Sequence, residues 1–222
     1  MIFDGLARAS AALGNLIDQI PADQWTAPTP CTQWSVRDVV NHLVGMNLVF
    51  IAMFEESPMP ERGADRLGAD PAGAFRRSAA ALQAAATRPR VLERSQATPV
   101  GVATGLERLQ WRIVDLLAHG WDIRQATGVV AELPDDLVEQ AITFARARLP
   151  NQPRAGRFAD PQPIHDNAPA IDRPARPRSG GSCSRSKSRR CSMPPMAPTD
   201  SGGCTRSWSA AANGSARGWF GS

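Results

Sequence analysis

The 222-residue chain holds three histidines, and two of them stand in stretches with helical spacing. His119 lies in the run "DLLAHGWD", with Asp115 four residues before it and Asp122 three after. At ~100° per residue, a step of four leaves two side chains about 40° apart and one turn along the axis. Asp115 and His119 therefore project from one helix face, and Asp122 falls close to it. A carboxylate and an imidazole so placed make a two-ligand clamp for a divalent metal, as helix bundles use. His42, on a facing helix, would supply a third ligand. The same spacing also suits a hydrogen bond or a weak ion pair, and a helical His such as His42 also serves in packing or at the surface. Spacing leaves these readings open. Asp122 stands near a helix C-terminus, where an acid is mildly unfavourable for the macrodipole. It reads as a group that orients His119 or as a surface acid.

Other candidates are weaker. Cys31, in "TPCTQW", precedes a helix, where a thiol pKa can be lowered; it reads better as a buried structural residue. Trp25, Trp34, Trp111 and Trp121 read as core and helix-packing aromatics. His165, in the Pro-rich "DPQPIHDNAP", reads as exposed.

These residues need helices to position them. Phe3, Leu6, Leu13, Leu16, Ile17 and Ile20 recur at helical spacing, and Pro21 ends that run. Ser35 with Asp38 forms an acidic capping-box variant, opening a helix from Val36 to about Glu55 that carries His42. Pro71 suits a first helical position, with an Ala-rich helix running to Thr87. Residues 88–103 read as irregular, with a short extended piece and no convincing strand pair. Thr104 with Glu107 is a second capping box, and the helix it opens carries Asp115 and His119 to about Ala126, with apolar positions including Leu106, Leu109, Ile113, Leu116, Leu117 and Ile123. Pro134-Asp135-Asp136 opens a last helix to about Arg148. Four long helices with medium loops predict an all-α bundle.

The net charge of +4 averages two unlike parts. Residues 174–222 hold eight basic residues, one acid and three of the four cysteines, with no Ile, Leu or Val. Such a stretch cannot offset its chain entropy with a core. The reading is a body over residues 1–173 and a disordered, basic Ser/Arg/Gly/Pro tail over 174–222, whose abrupt start at Pro174 suggests an out-of-frame or non-native extension. The basic pI belongs to the tail, so nucleic-acid binding through its charge and Trp208 and Trp219 is the weaker reading. One body cysteine permits no disulfide within the body, which fits a reducing cytosol. No secretory leader is visible. The apolar stretch Val44 to Phe54 reads as too short to cross a bilayer, so no membrane partner and a cytoplasmic location are expected.

The two motifs "WTAPTPCTQWSVRDVVNHLVG" and "DLLAHGWDIRQATG", together with the late "FADPQPIHDNAPAIDR", resemble the actinobacterial mycothiol-dependent maleylpyruvate isomerase-like proteins of the DinB-like helical superfamily. The resemblance implies a DinB-like four-helix bundle with an additional C-terminal helix. It also implies a divalent metal, usually Zn2+, held by His42, Asp115 and His119. The family pattern carries Glu where this chain has Asp115, a shorter arm that still binds zinc. Three protein ligands leave a position for a thiol such as mycothiol, or for water, and no separate catalytic residue is assigned. Two His and one carboxylate also suit Fe(II) or Ni(II). The implied partners are a small-molecule thiol and an electrophilic substrate. The function is then that of a thiol-dependent isomerase or transferase, with a non-catalytic metal-binding sensor or stress module as the alternative. Substrate and oligomeric state are not specified by these residues.

Overall fold

Capping chemistry sets where the helices begin. In the computed structural model, which describes residues 1–31, 33–98 and 101–149, the elements are α1 (Ile2–Asp18), α2 (Val36–Glu55), α3 (Pro71–Ala86), β1 (Ser95–Thr98), β2 (Gly101–Thr104), α4 (Gly105–Thr127) and α5 (Asp135–Arg148). Both expected capping boxes form. The Asp38 amide donates to Ser35 Oγ at 3.2 Å and the Ser35 amide to Asp38 Oδ2 at 2.8 Å. Thr104 and Glu107 exchange the same pair of bonds, each at 3.2 Å. They fix the starts of the two helices that carry His42, Asp115 and His119. Asp70 caps α3 by accepting from the Gly73 amide at 2.9 Å, with Pro71 at the first helical position. Gly128 ends α4 with φ at 68°, a left-handed conformation that glycine adopts without Cβ strain.

The four long helices close into a ring. α1 packs on α3 and α4, α2 packs on the same two, and α5 lies against α4. The helices of each non-adjacent pair, α1 with α2 and α3 with α4, are joined by the long connections, which must cross the end of the bundle. The expected four-helix bundle with an added C-terminal helix is what forms. Leu6, Leu13, Leu16 and Ile17 of α1 meet Val39, Val40, Leu43 and Phe50 of α2, Phe75 and Leu82 of α3, and Leu109, Leu116, Leu117 and Ile123 of α4 in one buried cluster.

Two expectations need correction. β1 and β2 pair antiparallel, Ser95 with Thr104 and Thr98 with Gly101, where no strand pair was expected. Leu106, counted on the apolar face of α4, stands in its first turn and is 40% exposed. Over its full length α2 is long and apolar enough, by length and composition, to cross a membrane, and more than half of its most apolar window is buried in the bundle. The tail over 174–222, the segment around His165, and the domain boundary at 173 lie outside the described residues.

One close approach bears on the site. A Cβ added at Gly120, next to His119, would stand 2.6 Å from Leu13 Cδ1 and 3.1 Å from Leu133 Cδ2. Glycine there lets α1 seat directly against the turn of α4 that carries the histidine.

Candidate metal centre

α2 and α4 are neighbours in the ring, and this contact brings the three predicted residues together. His42 Nε2 lies 3.5 Å from Asp115 Oδ1, and His119 Nε2 lies 3.4 Å from the same oxygen. One ligand atom from each of the three falls within 4.8 Å of the others. Zinc bonds of about 2.0–2.1 Å in tetrahedral geometry separate neighbouring ligand atoms by about 3.3–3.4 Å. The observed spacings match that figure and are too long for good hydrogen bonds. His42 Nε2 is buried and makes no hydrogen bond. A buried nitrogen without a partner costs free energy, and an ion at the point of convergence would satisfy it. The donor set therefore fits a divalent cation.

A second cluster, Cys31, His119 and Asp122, also meets the distance condition. Its spacings are different. Asp122 Oδ2 lies 2.9 Å from His119 Nδ1 and 2.9 Å from Cys31 Sγ. Ligands sharing one tetrahedral zinc would stand about 3.3 Å apart for a nitrogen–oxygen pair and about 3.5 Å for a sulfur–oxygen pair. Within this second group, His119 and Asp122 are spaced for hydrogen bonding. Asp122 lies behind His119 and completes an arrangement of carboxylate, imidazole and metal position in line. With its Nδ1 side committed to Asp122, the ring presents Nε2 toward Asp115 and His42. The expected orienting role of Asp122 is supported by this geometry.

The electrostatics follow from burial and pairing. Burial pushes the His42 pKa down, and the nearby Asp115 carboxylate only partly offsets this. Burial alone would depress His119 as well. The Asp115 and Asp122 carboxylates outweigh it and raise His119 to about 9. Burial would raise Asp115, but His119 and His42 hold its carboxyl well below the usual range. Without metal, then, a neutral His42 faces an imidazolium–carboxylate pair.

Solvent reaches the cluster from one side. The His42 side chain is 24% exposed, whereas those of Asp115 and His119 are 9% and 7%. Trp34 packs against both imidazoles, its ring centroid 4.9 Å from that of His42 and 6.0 Å from that of His119. A tight turn puts it there. The Trp34 amide donates to the Cys31 carbonyl at 2.9 Å, and the Thr29 amide donates to the Trp34 carbonyl at 3.1 Å. Gln33, inside this turn, has a φ of 77°, in the left-handed region. Trp34 was expected only to pack between helices; the structure sets it against both histidine rings.

Sequence reasoning missed two further residues. Arg112 is fully buried and Asn47 is 1% exposed, and both stand beside the cluster. Arg112 Nη1 bonds Asp115 Oδ2. The available signal was a charged residue inside the apolar run Trp111 to Val114, three positions before Asp115.

Comparison with known proteins bears on the family and the fold. A family model described as the mycothiol maleylpyruvate isomerase N-terminal domain matches residues 6–124, more than half of the chain. The chain is 32% identical over 168 residues to an uncharacterized protein of Mycobacterium tuberculosis, Rv0738, covering 74% of this chain and 90% of the relative. A second uncharacterized protein of that organism, Rv0036c, is 28% identical over 149 residues, 56% of each chain. In fold, the chain is similar to a mutant of the mycothiol-dependent maleylpyruvate isomerase solved by crystallography, with a TM-score of 0.52, 14% identity, and coverage of 65% of this chain and 68% of that one. On the family match and the first of these relatives, the chain belongs to the mycothiol maleylpyruvate isomerase N-terminal domain family.

Proposed function

We propose that this protein binds a divalent metal, with zinc the first candidate, through His42 Nε2, His119 Nε2 and Asp115 Oδ1, and that it presents the ion to a small thiol. The observation that carries this is the convergence of two imidazole nitrogens on one carboxylate oxygen at 3.4 and 3.5 Å, with His42 Nε2 buried and lacking any hydrogen bond. Family membership supports mycothiol as that thiol.

A bound ion would supply Lewis acidity, lowering the pKa of a thiol or water at the position three protein ligands leave open. The chain's own residues do the rest. Asp122 holds the His119 ring in the tautomer that leaves Nε2 as donor. Arg112 fixes the carboxylate of Asp115. Trp34 packs against both imidazole rings and shields them from water. Charge balance favours an anionic guest. A dication held by two neutral imidazoles and by Asp115, whose carboxylate Arg112 already pairs, leaves positive charge at the open position. A buried uncompensated charge is costly, so a thiolate or hydroxide completes the site better than a neutral molecule.

The reaction class this suits is thiol-dependent isomerisation or transfer on an electrophilic small molecule, in a cytoplasmic setting. A metal-binding sensor on the same bundle is the competing reading, and one experiment separates them. Cobalt-loaded protein is titrated with mycothiol and followed by absorbance. The enzyme reading expects a saturable thiolate-to-cobalt charge-transfer band, abolished in His42→Ala. Retention of cobalt with no spectral response to millimolar mycothiol would favour the sensor.

A further inference from the structure

The two oxygens of Asp115 have different neighbours. Oδ1 faces His42 and His119, and Oδ2 is bonded by Arg112 Nη1. The rest of the Arg112 fork reaches back to α2. Nη2 donates to the Leu43 carbonyl at 2.7 Å and to Asn47 Oδ1 at 2.7 Å, and Nε reaches the same Asn47 oxygen at 3.1 Å. Asn47 Nδ2 in turn donates to Ser78 Oγ on α3 at 2.9 Å. Leu43 directly follows His42 in the chain. A single guanidinium thus ties the backbone beside one candidate ligand to the carboxylate of another.

Resting on the metal reading above, we infer that Arg112 is a positioning residue that makes Asp115 a one-oxygen ligand and sets the register of His42 against His119. With Oδ2 occupied by the guanidinium, Asp115 cannot chelate through both oxygens, so a coordination position stays open for the guest. Planarity and a rigid fork suit arginine to this task; a lysine ammonium brings the same charge without the geometry. A buried arginine whose donors find a carboxylate, a carbonyl and an amide oxygen is satisfied, so the device is compatible with a stable core.

The test uses full-length protein and cobalt as the probe. Two variants are made: Arg112→Lys, which keeps the charge, and the double variant Asn47→Leu with Arg112→Met, which removes both ends of the bond and leaves no orphaned amide. Circular dichroism checks that each is folded. Cobalt affinity is read by chelator competition, and ligand number by the intensity of the cobalt d–d bands. We expect both variants to bind cobalt about 10- to 100-fold more weakly than wild type, with weaker bands as Asp115 turns to two-oxygen binding. A folded variant with wild-type affinity and an unchanged spectrum overturns the inference, and Arg112→Lys alone suffices if the double variant fails to fold. A wild type that takes up no cobalt instead overturns the metal reading, and this inference with it.

Discussion

Loading His119 with a metal ion requires removal of a proton, and the structure says how hard that proton is held. The carboxylates of Asp115 and Asp122 outweigh burial and raise His119 to about 9. At pH 7 the imidazole is then two units below its pKa, so only about one molecule in a hundred offers a free Nε2. Each unit is worth roughly 1.4 kcal/mol, and displacing the proton at pH 7 costs about 3 kcal/mol. The proton lost is the one on Nε2, since Nδ1 remains hydrogen-bonded to Asp122. His42, with its pKa lowered, adds no second proton. Metal uptake at pH 7 should therefore release about one proton per ion, and apparent affinity should rise about tenfold per pH unit up to pH ~9 and then level. Competition against a chromophoric chelator, corrected for the chelator's own protonation, gives the slope; calorimetry in two buffers counts the protons. An affinity flat between pH 7 and 9 would refute the reasoning. In the metal-free protein the same shift has the opposite sign. The folded pKa of His119 lies above its unfolded value of roughly 6.5, so its contribution to stability is full below that pH and is lost as pH rises through about 9. Asp115 lies below its unfolded value, and its contribution is lost as pH falls through its low folded pKa. The gap between metal-loaded and metal-free melting temperatures should widen from pH 7 to 9.

Three further outcomes follow from single residues. Asp122→Asn should weaken metal binding by about 10- to 100-fold and move the levelling point of the affinity profile to lower pH, read in the same competition assay. Asp115→Ala should destabilise the metal-free fold by about 3–5 kcal/mol in urea titration, because the fully buried Arg112 loses its counter-charge; a change under 1 kcal/mol would contradict the pairing. Gly120→Ala should cost about 1–3 kcal/mol, because its Cβ would meet Leu13 at 2.6 Å. If instead the variant melts with wild type, α1 does not seat as described.

Much of the bundle could be read because its signals are local. Ser35 with Asp38 and Thr104 with Glu107 announce helix starts within four residues, and the structure places α2 and α4 where those boxes predict. Asp115 and His119 were legible as a pair because one helix sets their geometry. His42 needed a fact no local pattern holds, that α2 packs beside α4 in the ring. Arg112 and Asn47 were missed for a related reason: a charged or amide side chain reads as solvent-facing unless its partners are known, and theirs come from α2, α3 and α4 together. The strand pair escaped because strands of four residues such as Ser95–Thr98 and Gly101–Thr104 are too short to show alternation. Trp34 was visible as an aromatic, but its place over the histidines depends on the turn at Gln33.

Metal content measured by mass spectrometry on protein equilibrated with zinc at pH 8 and freed of excess is the most direct test of the central claim. Wild type should hold one equivalent, and folded His42→Ala and His119→Ala should hold close to none after the same treatment. Folded wild-type protein that retains no zinc, nickel, cobalt or iron, or histidine variants that keep a full equivalent, would contradict the account.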